Sequence, residues 1–242
     1  MSLETIQQKK QLIESRSRIR EFVFGIQDGL ISTVGLLAGM QSATENNGVV
    51  IVTGLTAMFS GALSMATGSY LSSGAQKDIF DKEIADAEKL AEREPYIAAE
   101  GLLKALGEEG LSKEQSYRMV KVLLLERNVF LRTFQEKVFG LGSAEINQPF
   151  QAALVMGVSF IIGAIIPIVP FIVMGGAAAL YLSVFLSAAT LFVVGAFKGR
   201  LAGQSQLVSG LRFFAVAVSA AGLGYLIGLV VQWFFPGISI PA

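Results

Sequence analysis

Five runs of about twenty apolar residues divide this 242-residue chain, and about twenty is what a helix needs to cross a hydrocarbon core. They cover 22–40, 49–71, 152–174, 177–197 and 213–235. None alternates with period two, which argues against a transmembrane barrel. Mean hydropathy is +0.58 and 16% of residues are charged, below the roughly 25% of soluble domains. The expected fold is an all-α membrane protein with five transmembrane helices.

The links between the runs set the expected topology. Lys9, Lys10, Arg16, Arg18 and Arg20 precede the first run, and Lys198, Arg200 and Arg212 lie between the fourth and fifth. The first-to-second link carries only Glu45, and the third-to-fourth link and the tail carry no charge. The positive-inside rule then puts the N-terminus in the cytosol and the C-terminus outside or in a lumen. Residues 1–21 form a basic cytosolic segment, not a signal peptide, because no apolar stretch precedes Phe22. Spans one and two occupy 22–71, a cytosolic helical domain 72–148, and spans three to five with a short tail 149–242.

The 72–148 insert reads as three helices. Residues 78–94 continue the second span. Pro95 opens a short helix, as proline does at a first turn, and Gly107 and Gly110 end it. Ser112 with Gln115 forms a capping box, which opens a third helix running to about Phe139. Val120, Leu123, Leu124, Leu131, Phe134 and Val138 give that helix an apolar stripe. Gly140, Gly142 and Pro149 separate it from the third span.

Cysteine and histidine are absent. That removes disulfides, thiol nucleophiles, His-based triads and Cys/His zinc sites. A metal would be held by oxygen ligands or Met sulfur, a set suited to Mg, Ca, Mn and ferrous iron. The net charge is zero, so no electrostatic case exists for nucleic acid.

Within the first run only Asp28 is charged. A charge at membrane depth costs at least a few kcal/mol, so such residues tend to be kept for a task. Ser32, Gly35 and Gly39 share its helical face, with Gly25 at the edge. Gly25/Gly29 and Gly35/Gly39 are spaced for close helix contact in lipid. Asp28 is therefore expected to face another helix. If that helix belongs to a second copy, two carboxylates meet and want a cation or a shared proton. Met65 of the second run lies about 9 Å inside the same boundary as Asp28, at 1.5 Å per residue. Carboxylate and thioether at one depth could hold a transition metal. The plainer alternatives are a protonated or wetted Asp28, a Met65 that only fills space, and insert acids that form a solvated surface.

Four stretches carry a family resemblance. Asp28-Gly-Leu-Ile-Ser-Thr-Val-Gly-Leu-Leu-Ala-Gly39 resembles the first-span motif of the vacuolar iron transporter family (CCC-type iron/manganese transporters). Gly61-Ala-Leu-Ser-Met-Ala-Thr-Gly-Ser-Tyr-Leu71 is similar to its second-span motif. Gly163-Ala-Ile-Ile-Pro-Ile-Val-Pro170 resembles its double proline, and Gly195-Ala-Phe-Lys-Gly199 with Gly203 its fourth-to-fifth loop. The resemblance implies a homodimer meeting through the first span, which exports Fe2+ or Mn2+ from the cytosol in exchange for protons and needs no cofactor. Asp28 and Met65 fall on the family's pathway ligands. The family's second-span Glu is Ala57 here. Its E-x-x-E positions in the insert read Ala87, Leu90, Ala98 and Gly101. The acids are displaced to Glu88, Glu92, Glu100 and Glu136, which stand as the tentative cytosolic metal ligands.

Two rival readings remain at this point. One is a non-transporting sensor or scaffold of the same fold, supported by the altered insert. The other, an intramembrane enzyme, has little to work with: one buried acid and scattered Ser and Thr. The short chain without a targeting extension points to a prokaryotic plasma membrane rather than a vacuole.

Overall fold

The computed structural model describes residues 16–44, 46–140 and 148–234. Lys9, Lys10, Glu45, Gly142 and the tail from Phe235 lie outside the described residues. Eight helices are described: α1 (Arg16–Ala43), α2 (Asn47–Arg93), α3 (Pro95–Glu108), α4 (Lys113–Leu123), α5 (Arg127–Phe139), α6 (Pro149–Val173), α7 (Gly176–Leu201) and α8 (Gln206–Phe234). Among them α1, α2, α6, α7 and α8 are long and apolar enough to cross a membrane. The chain forms two compact units, Met1–Tyr70 with Pro149–Ala242, and Leu71–Gln148.

In the first unit α1 is the central helix, packed against α6, α7 and α8. Leu30, Val34 and Leu37 are fully buried on it. One apolar cluster joins Val34 and Leu37 to Val50 and Met58 of α2 and to Phe160, Ala164 and Ile168 of α6. A second joins Ile26 and Leu30 to Ala188 and Leu191 of α7 and Ala217 of α8. Missing side chains make these contacts close. A Cβ on Gly25 would lie 2.7 Å from the Met156 carbonyl oxygen, and one on Gly29 would run into the Phe160 carbonyl. Farther along α1, a Cβ on Gly39 would lie 2.9 Å from the Gly224 carbonyl oxygen. The two glycine pairs do mediate helix contact, but their partners are α6 and α8 of the same chain. They are not the seam with a second copy that the sequence left open.

Pro167 and Pro170 lie inside α6. Each removes a backbone donor and crowds the preceding turn. Carbonyls at this bend are served from neighbouring helices, as membrane segments require. The Ser183 hydroxyl of α7 donates to the Pro167 carbonyl at 2.8 Å, and the Asn47 side-chain amide of α2 donates to the Phe171 carbonyl at 2.8 Å. Helices α7 and α8 form a hairpin turned at Gly203, where φ is +66°. Next to the turn, Gly195 and Gly199 lie against Ser209.

The second unit holds the end of α2 with α3, α4 and α5. Ala87, Ala91, Ala98, Leu102, Leu106, Val120, Phe130 and Phe134 form its core. The capping box at Ser112 and Gln115 is present with both reciprocal hydrogen bonds. The expected single helix to Phe139 is instead α4 and α5, broken at Leu124–Glu126. In one unbroken helix, Val120 and Phe130 would point about 80° apart, ten residues at 100° each. With the break, both lie in one core. It also turns Leu124 outward, contrary to the expected stripe. Lys137 Nζ donates to both Glu109 carboxylate oxygens at 2.8 and 3.1 Å, and this partner holds the ammonium above its usual value.

Replacing Ser183 with Ala should cost about 1 kcal/mol by removing its hydrogen bond to the Pro167 carbonyl, read as a lower melting temperature of the solubilised protein. Gly29→Val should cost roughly 1–3 kcal/mol through overpacking. Gly68→Ala, with open space around it, should leave melting unchanged.

Candidate functional site

Asp28 sits on α1, half-buried. The Ser32 hydroxyl, one turn on, donates to the Asp28 backbone carbonyl at 2.6 Å, so that donor is turned to the main chain. Phe24, Ser32 and Leu36 on the same side of α1 are exposed. Toward the C-terminal end of the helix this face is closed, because Gly35 and Gly39 lie against α8. Toward the N-terminal end it is closed again at Glu21. The uncovered strip around Asp28 is thus a window between two helix contacts.

Glu21 went unnoticed in the sequence because it falls in the basic N-terminal segment. It is only 6% exposed. Arg20 donates to one of its carboxylate oxygens at 2.9 Å and the Ser69 hydroxyl of α2 to the other at 3.4 Å. Its spacing was the available signal: seven residues before Asp28 is two helical turns, on the same face.

The Glu21–Ser69 contact also fixes the height of α2 against α1. Gly54 lies against Leu37, and the two pairs agree on one antiparallel alignment. Counted along it, Asp28 is level with Ala62 or Leu63. Met65 lies about 4 Å nearer the N-terminal end of α1, between Asp28 and Glu21 in height. Met65 is half-buried and packs against the cluster that holds Met58, Ala62 and Phe160. On α2 the hydroxyls of Thr56, Ser60, Ser64 and Thr67 are all on exposed residues, spaced to share one face.

The insert acids are not brought together. Glu88, Glu100 and Glu136 are exposed, and Glu92 is ion-paired with Arg127. Among the described residues no group of three or more acidic side chains is close enough to hold a metal ion. The positions that match the family's E-x-x-E pairs have another role. Ala87 and Ala98 are buried in the core of the second unit, with Leu90 packed against it. A Cβ on Gly101 would meet the Phe134 ring at 3.6 Å and Val138 at 3.8 Å. Where the resemblance implies carboxylates, this chain has small and apolar residues around aromatic rings.

The fold and the strip define a polytopic helical membrane protein with an acid set into its central helix. Residues 19–229 match the VIT family, and the chain belongs to that family. It is 24% identical to "Vacuolar iron transporter 1" of Arabidopsis thaliana, over 88% of this chain and 86% of that protein. It is 27% identical to "Vacuolar iron transporter cccA" of Arthroderma benhamiae, over 85% of this chain and 75% of the relative. With "Vacuolar iron transporter" of Plasmodium falciparum it shares 25% identity, over 90% and 83%. These relatives are named as transporters, not as enzymes.

Because the second unit is closed by apolar packing, its melting should not respond to EDTA or to added Mn(II). Ala98→Glu, which buries an unpaired charge, should destabilise it by roughly 3 kcal/mol or more, measured by urea denaturation of the full chain.

Proposed function

We propose that this chain is a homodimeric exporter of divalent metal, Fe2+ or Mn2+, driven by exchange for protons, with its N-terminus and insert in the cytosol. The observation that carries the reading is the half-buried Asp28 on an uncovered strip of the central membrane helix, in a chain whose relatives are named iron transporters. A carboxylate at that depth needs a partner outside its own chain. A second copy supplies one: two α1 strips face to face put two Asp28 carboxylates around a cation. The exposed hydroxyls along α2 support the same arrangement, since Ser and Thr hydrogen-bond across helices in membranes.

The working steps follow from charge. The Met65 thioether lies about 4 Å from Asp28 in height, toward the cytosolic end of the strip. Deprotonated Asp28 binds the metal. A proton arriving from the far side removes the negative charge, and the metal leaves.

A non-transporting scaffold or sensor of the same fold is the second reading, and the apolar filling of the insert's E-x-x-E positions favours it. Transport measurements separate the two. In proteoliposomes with an opposing pH gradient, Fe(II) or Mn(II) flux is expected, and Asp28→Asn should lower it by roughly 100-fold or more, beyond what lost outer partners of a ligand cost. Unchanged flux in that variant would falsify the pathway role. Replacing Glu88, Glu92, Glu100 and Glu136 together by Gln should change flux by no more than about twofold, as expected of exposed charges.

The chain has no cysteine, so Ser32→Cys reports cleanly on the dimer. Mild oxidation in membranes should give a disulfide-linked pair, while Val193→Cys, on the exposed surface of α7, serves as the comparison.

A further inference from the structure

A cavity of about 1320 Å³ lies between the C-terminal end of α1, the first turns of α7 and the second half of α8. It exceeds the roughly 300–1,000 Å³ of most small-molecule sites. Its origin is in the hairpin. Beside the Gly203 turn, α7 and α8 are held close by Gly195, Gly199 and Gly210. Toward their other ends the space between them is this wedge, with Ala38 and Gln41 of α1 among its lining.

The lining changes character along the wedge. The end nearer the hairpin turn is formed by Val184, Phe185, Ala188, Phe214, Val218 and Ala221. The end nearer the α1 C-terminus is formed by Gln41, Thr44, Asn46 and Gln232, with Tyr181 and Tyr225 beside them. Among the described residues no charged side chain contributes. Along α7 the wedge runs from Ala177 to Ala188, about 16 Å at 1.5 Å per residue. An apolar slot of that length, inside two candidate spans and ending in amides and tyrosines, is complementary to an amphiphile. Tyrosine takes this position at headgroup level. The Gln41 side-chain oxygen has no donor within the described residues.

We infer that this wedge is a binding site for one membrane lipid, with an acyl chain between α7 and α8 and a net-neutral headgroup at Gln41 and Gln232. The described lining offers no Lys or Arg, so an anionic headgroup finds no counter-charge there. The site is separate from the Asp28 strip: Ala38 and Gln41 lie about 80° and 140° round α1 from Asp28 at 100° per residue. A dimer formed through Asp28 therefore leaves the wedge free, and the inference does not depend on the cargo.

The test is photolabelling of the full chain in phosphatidylcholine vesicles that contain a phosphatidylcholine with a diazirine in its acyl chain. Adducts are mapped by peptide mass spectrometry. Labelling is expected to concentrate on 180–188 and 214–221, several-fold above the exposed α6 residues Leu154, Val158 and Ile162. Val184→Trp and Val218→Trp, which fill the slot from opposite walls, should each remove that excess and leave labelling of α6 and the melting temperature unchanged. Even labelling of all exposed helices would mean bulk lipid only and would overturn the site. So would stronger labelling by the matching phosphatidylglycerol probe, or a disulfide between two Val218→Cys chains, which would put a second copy in the wedge.

Discussion

Backbone-to-backbone approach along α1 is the constraint on which the first unit depends. In lipid, helices gain little from hiding apolar surface, so contact area and shape decide association. Gly25 and Gly29 let α1 reach the main chain of α6, and Gly35 and Gly39 let it reach α8. A helix carrying side chains at these four positions would stand away from both neighbours. The same contacts define the uncovered strip around Asp28. They use most of the Asp28 face for internal packing and leave uncovered only the part where the acid sits.

Much of this was readable in the residues. The five apolar runs become the five long helices, because a bilayer-length run has few ways to satisfy its backbone. The capping box at Ser112 and the proline start at Pro95 are local rules, and both hold in the structure. Tertiary choice was not readable. Spacing shows that glycines permit close contact, but not which helix takes it. Glu21 looked like part of a solvated basic tail until Ser69, 48 residues away, met it. The α4–α5 break has no glycine or proline to announce it. Val120 and Phe130 enter one core from the two helices on either side of it.

The two units answer the same chemical question differently. In the membrane helices an acid is kept where burial penalises it. In the second unit, positions that could carry acids hold Ala87, Ala98 and Gly101, and the space they leave is occupied by the Phe130 and Phe134 rings, which stack at 6.0 Å. One unit accepts an electrostatic cost and the other avoids it. Family membership does not distinguish the two. The side chains at those positions do.

The stitched bend of α6 has a mechanical consequence. Ser183 of α7 and Asn47 of α2 each hold a carbonyl on either side of Pro170. Sliding α6 against either helix would break one of these interhelical hydrogen bonds. At this end, α2, α6 and α7 are therefore fastened as one stiff body. The glycine-lined contact between α1 and α8 has one tie of the same kind, from the Ser42 hydroxyl to the Tyr225 carbonyl at 3.1 Å.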